Sequence, residues 1–291
     1  ARNFVTQLQK ITNADITESQ KELILWKNAQ KLYNLTIPKI GKIAPAKNPL
    51  PLPEGDDEDH YCFSGKYPFY SNYPDINSSE LESILHAEGI KAAYTADFNA
   101  IFGSDLLAAN LSFLASCKGL ERVKPLAVIN PRARNLAALL DAALTEDFAA
   151  VWLSPILHRW RLNDAKYQQL FERCADAGKT VYINFSLGDM RFRHIAQEYR
   201  IVSPEEFEDF IKNAPANNYI LQGSHYNKIP ENKALSCKQT ITHLSDYDEA
   251  LVNHMLQKEN LQLCWGSEFP LRKISQTKEA AITLLTQNDR D

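Results

Sequence analysis

From residue 60 onward the chain alternates two kinds of hydrophobic pattern. Short apolar runs, rich in β-branched and aromatic residues, read as buried strands. They are His60–Ser64, Ile90–Thr95, Val123–Ile129, Ala149–Leu153, Thr180–Phe185, Tyr219–Gln222, Cys237–Thr242 and Leu261–Trp265. Between them, Ser79–Glu88, Asp105–Cys117, Ala133–Leu144, Ala165–Ala177, Pro204–Asn213, Tyr247–Lys258 and Thr277–Thr286 carry apolar positions at helical spacing. A parallel neighbour is reached only through a crossover, so this alternation predicts a parallel sheet. Eight units in about 230 residues match a (β/α)8 TIM barrel, the expected α/β fold class. A doubly wound sheet would give the same alternation. Ser104 stands where an N-cap is wanted, and Ser203-Pro204-Glu205-Glu206 joins a capping hydroxyl to a proline in the first turn. Tyr226–Leu235, after the sixth strand, contains Pro230 and is expected to hold no long helix.

Upstream the pattern changes. Glu18–Asn34 spaces Leu23, Trp26, Ala29 and Tyr33 along one helical face, and Ile37–Asp59 holds five prolines followed by an acidic run. Residues 1–58 are therefore expected to form a helix and an extended Pro-rich linker packing on a barrel of residues 59–291.

Composition narrows the function classes. A formal net charge of −4 offers no basic field for a polyanion, so nucleic acid is not an expected partner. No apolar run approaches the roughly 20 residues that span a bilayer, and no export-signal pattern is present, which leaves a soluble, cytoplasmic protein as the expectation. Because residue 1 is Ala, a removed leader stays open, as does a homo-oligomer. Five widely spaced cysteines without a C-x-x-C pair are expected as buried thiols. There is no phosphate-binding loop, no G-x-G-x-x-G, no G-x-S-x-G elbow and no H-E-x-x-H pair.

Five phrases, taken together and in order, carry a resemblance. They are Gly65-Lys66-Tyr67-Pro68-Phe69, Ala127-Val128-Ile129-Asn130-Pro131, Val151-Trp152-Leu153-Ser154-Pro155, Asp189-Met190-Arg191 and Gly266-Ser267-Glu268-Phe269-Pro270. On these the chain resembles the amidohydrolase superfamily, in its amidohydrolase-related branch, over everything but the N-terminal arm. The resemblance implies a site at the C-terminal ends of the strands, where one or two divalent cations lower the pKa of a bound water. It also implies the ligands: a His-x-His on strand one, sometimes a Lys on strand four, His on strands five and six, and Asp on strand eight.

This sequence departs from that pattern almost everywhere. The strand-one pair falls on Tyr61 and Phe63, the strand-four position on Trp152, strand five on Asn184, strand six on Gln222 with His225 as rival, and strand eight on Glu268. Aromatic rings and amides do not hold a hydrolytic cation, so no metal and no other cofactor is expected. Glu268 remains as a candidate general base, similar to the eighth-strand acid of the metal-free lactonases of this superfamily; the alternative is a carboxylate paired with an Arg. Asp189, Arg191 and His194 are candidates to bind a carboxylated substrate, or else to form an internal bridge. His225 and His243, with Glu268 and Cys62, are the residues a relocated metal site would use. Tyr61, Phe63, Tyr67, Phe69 and Trp152 either wall a pocket or fill the space the metal left. The expectation is a metal-free barrel that binds or hydrolyses a small carboxylated molecule, with a non-catalytic ligand-binding or scaffold protein as the alternative.

Overall fold

A computed structural model describes residues 11, 14–33, 57–70, 73–188, 194, 199–223, 236–241, 261–275 and 277–278. Its eight strands are β1 (Glu58–Ser64), β2 (Ala92–Asp97), β3 (Val123–Ile129), β4 (Ala150–Leu153), β5 (Val181–Asn184), β6 (Asn218–Gln222), β7 (Ser236–Ile241) and β8 (Leu261–Trp265). Neighbours in sequence are neighbours in the sheet, every pair parallel. That unbroken order has no reversal point, which excludes the doubly wound arrangement. The sheet closes where β1 meets the segment after β8: Cys62 bridges Phe269 in parallel, and Phe63 N donates to Phe269 O at 2.8 Å.

Strands covered on both faces read as continuous apolar runs, which is why β3 and β4 have no polar side. Within the barrel lie Tyr61, Phe63, Ala96, Leu126, Val128, Ala150, Trp152, Tyr182, Ile220 and Cys264. Outside it, Ile129, Val151, Leu153, Val181 and Leu221 meet residues of the helices Leu136–Thr145, Gln168–Asp176 and Pro204–Asn213. Ser203 caps the last of these with Pro204 in its first turn, as its sequence predicts. The cap expected at Ser104 is made instead by Asp105, whose carboxylate accepts from Ala108 N at 3.0 Å. A short helix, Phe98–Phe102, was not foreseen. It starts where Asp97 accepts from Asn99 N, and five residues are too few for periodicity to announce it.

In the N-terminal arm, turns Glu18–Glu22, Leu23–Lys27 and Asn28–Tyr33 are helical, opened by a Thr17–Gln20 capping box, and bury none of their residues. The Pro-rich stretch at 37–56, the segment Tyr226–Leu235, the helix expected at Tyr247–Lys258 and most of that at Thr277–Thr286 lie outside the described residues.

Candidate functional site

An irregularity in β1 shapes the barrel's interior. Asp59 pairs with Ala93 and Cys62 with Thr95, so β1 carries one residue more than β2 over the same stretch. Such a bulge takes backbone groups off the ladder, and each needs another partner. Tyr61 N donates to Asp59 Oδ1 at 3.0 Å, and the His60 carbonyl accepts from Gln222 Nε2 at 2.7 Å. Tyr61 O accepts from Glu268 N at 2.5 Å. Gly266 lets the two chains come this close: a Cβ there would stand 2.4 Å from that of Tyr61. Asp59 also accepts from Ser267 N at 2.9 Å and from the Ser267 hydroxyl, tying β1 to the Glu268 segment. Burial nevertheless pushes its carboxyl above the ordinary range, against the downward pull of those bonds.

The structure brings Tyr61, Phe63, Trp152, Asn184, Gln222 and Glu268 together in the C-terminal half of the barrel, all of them buried. Trp152 Nε1 donates to Gln222 Oε1 at 2.7 Å, and Asn184 Nδ2 donates to the Tyr61 hydroxyl at 2.9 Å. The single phenolic proton has two acceptors within reach, the Ser186 carbonyl and Glu268 Oε1 at 3.1 Å. Glu268 Oε1 also accepts from Gly188 N at 2.5 Å, and Oε2 accepts from Arg272 Nε at 2.7 Å. Glu268 is 2% exposed, and its backbone lies in the left-handed region at φ 56°, which a non-glycine residue keeps only where its surroundings over-determine it. Those surroundings are the three donors on its carboxylate and the Tyr61 carbonyl on its N–H.

Of the two readings of Glu268, the structure contains the Arg pairing. The partner, Arg272, was missed by sequence reasoning, although acid and base four residues apart is a recognised spacing. Leu271 N and Arg272 N both donate to the Glu268 carbonyl, closing the turn that brings the two side chains together. The accepting carbonyl of Ser186 and the donating N–H of Gly188 belong to the backbone, for which side-chain identity gives no signal.

This donor set does not suit a divalent cation. Phe63 and the indole of Trp152 offer no lone pair, the amide oxygen of Gln222 accepts from Trp152, and that of Asn184 accepts from the Ser154 hydroxyl at 3.4 Å. Burial, and after it the Glu268 carboxylate, pushes the Tyr61 phenol well above its ordinary value, so it stays protonated. The one carboxylate is already neutralised by Arg272. Among the described residues no cluster of three His, Cys, Asp or Glu is arranged to hold a metal. Cys62 belongs to the helix-facing layer with Leu81, Leu85 and Trp265, and burial holds its thiol protonated, so it cannot serve a relocated centre at the mouth. The five cysteines are buried thiols, as expected.

Asp189, Arg191, His225 and His243 lie outside the described residues. His194 is described, and its ring contacts Phe69 and Tyr70 at 5.8 Å each. Phe69 and Tyr70 belong to an aromatic group with Tyr67, Tyr73, Phe98 and Phe102 beside the first two strand ends, where the rings fill space by packing on one another.

No family model matches this sequence, and no curated protein does. Solved structures do. The chain is similar to amidohydrolase II, with a TM-score of 0.56 and 11% identity over 80% of this chain and 92% of that one. It is similar to the 5-carboxyvanillate decarboxylase LigW from Sphingomonas paucimobilis, with a TM-score of 0.53 and 10% identity over 79% and 92% of the two chains. It is also similar to a dihydroxybenzoic acid decarboxylase from Polaromonas sp. JS666, solved with manganese and 2-nitroresorcinol, at 0.52 and 12% over 79% and 90%. At these identities the likeness is one of fold alone: the chain shares its parallel (β/α)8 barrel with these amidohydrolase-superfamily proteins, the group to which the sequence phrases are similar.

Proposed function

We propose that this chain is an amidohydrolase-like barrel that binds a small carboxylated molecule without a metal ion and does not hydrolyse it. One observation carries the reading: the carboxylate that would act as general base is held by Arg272, Gly188 and Tyr61 at once. A carboxylate whose two oxygens both already accept from groups of the protein is not presented to a substrate proton, as a general base must be. The carboxylated class rests on similar barrels whose substrates, as their names state, are carboxylated aromatics. Arg191 and Asp189 are the proposed anchors for the carboxylate, and Asn184, Gln222, Trp152, Tyr61 and His225 are the other proposed binding residues. The buried cysteine thiols accord with a reducing, cytoplasmic setting.

The second reading, a metal-independent hydrolase using Glu268, is favoured by the burial and left-handed backbone of that residue, since strain of this kind gathers at active sites. The two part on one experiment. The protein is melted with and without 2,6-dihydroxybenzoate, then assayed against lactones and small carboxylates as wild type and as Glu268→Gln, alongside metal analysis. The binding reading expects a raised Tm with 2,6-dihydroxybenzoate and no turnover in either form. Turnover that Glu268→Gln abolishes would establish the hydrolase. One equivalent of Zn, Mn or Fe that Glu268→Ala removes would sink the metal-free reading.

A further inference from the structure

The opposite end of the barrel is furnished with other chemistry. Because of the bulge, His60 as well as Tyr61 is directed inward, and His60 lies face to face with Tyr94 of β2, ring centroids 4.8 Å apart and planes within 6°. Tyr182 of β5 completes the group, 6.1 Å from His60 and 5.7 Å from Tyr94 between ring centres. Its hydroxyl sits 2.9 Å from His60 Nδ1. Beside these rings is a cavity of about 300 Å³, lined as well by Glu58, Ala150, Asn218 and Ile220. Ala150 and Ile220 stand two residues before Trp152 and Gln222 on the same strands, so this space opens at the N-terminal end, away from Glu268. Its size is at the lower end of the range that holds small ligands.

The lining has a definite preference. Among the described residues that line the cavity, Glu58 is the only acid and there is no Lys or Arg; its side chain is 40% exposed and lies 3.6 Å from His60 Nε2. Tyrosine faces present the negative lobe of their quadrupole, and a carboxylate at the rim adds to the same potential. A neutral aromatic guest would gain only apolar contact here, and an anion would meet Glu58.

The geometry points to a binding site for a small organic cation, an amine or quaternary ammonium, seated against Tyr94 and Tyr182 with its charge toward Glu58. The site is independent of the reading of Glu268 and stands or falls separately. To test it, the full-length chain is titrated calorimetrically at constant ionic strength with choline, with dimethylbutanol as its uncharged isostere, and with benzoate. Choline is expected to bind at least roughly fivefold more tightly than the alcohol, and benzoate not to compete with it. Glu58→Gln, on a part-exposed side chain, and Tyr94→Leu are each expected to weaken choline by a similar factor. Absence of choline binding, equal affinity for choline and the alcohol, displacement of choline by benzoate, or undiminished choline affinity in Glu58→Gln would each overturn the proposal.

Discussion

At the C-terminal ends of the strands, Trp152 and Gln222 satisfy one another, and Tyr61, Asn184 and Glu268 do the same with help from Arg272. At the N-terminal ends, His60, Tyr94 and Tyr182 stack beside about 300 Å³ of unfilled space. In this fold the C-terminal face usually does chemistry and the N-terminal face supplies stability; here the N-terminal end holds a cavity as well. At the C-terminal ends Tyr61, Trp152, Asn184, Gln222 and Glu268 are all buried. A buried polar group must then be bonded within the protein, and these residues are.

The contrast can be broken most severely at Trp152. Trp152→Ala removes a fully buried ring and strands the Gln222 carbonyl, so a loss of about 3–5 kcal/mol in urea denaturation is expected. A loss below about 1 kcal/mol would mean that the upper end is not packed as core. Next comes the Glu268–Arg272 pair. Arg272→Ala leaves a buried carboxylate without its counter-charge and is expected to cost about 3 kcal/mol, whereas Glu268→Gln with Arg272→Ala together should cost less than the sum of the two. Strict additivity in that cycle would show that the pair does not interact.

Asp59 gives a pH-dependent test of the seam. Its carboxyl is harder to ionise folded than unfolded, so its contribution to stability is complete below the ordinary carboxyl pKa and is lost as pH rises through the raised folded value. Thermal melts from about pH 4 to about pH 8 should therefore show Asp59→Asn gaining on the wild type as pH increases; a constant difference would contradict the raised value. The smallest effect belongs to the lower end. Glu58→Gln should change unfolding stability by less than about 0.5 kcal/mol, because a part-exposed charge at a cavity rim does little for the core.

Much of this barrel was readable along the chain. β3 and β8 fall where the apolar runs place them, and the other strands are displaced by a residue or two at an end, since frayed ends are not marked by hydrophobicity. That Tyr61, Trp152, Asn184, Gln222 and Glu268 would meet was legible too, because alternation along a strand sets which side chains converge. Three things were not. The β1 bulge adds a residue without any change in composition, so nothing in His60-Tyr61-Cys62 announces that both His60 and Tyr61 point inward. Arg272 lies beyond the phrase that ends at Pro270, and its return to Glu268 depends on a turn whose geometry is a matter of backbone. The lower cavity is an absence of side-chain volume, which small residues such as Ala150 permit but do not by themselves foretell.

The added residue in β1 leaves His60 with two allegiances: its ring belongs to the aromatic stack below and its carbonyl to Gln222, which in turn holds Trp152 above. A substitution that shifts this one backbone unit is therefore felt at both openings of the barrel. Variants made to probe either opening are best scored at the other as well, since His60 is a shared hinge pin rather than a local ornament.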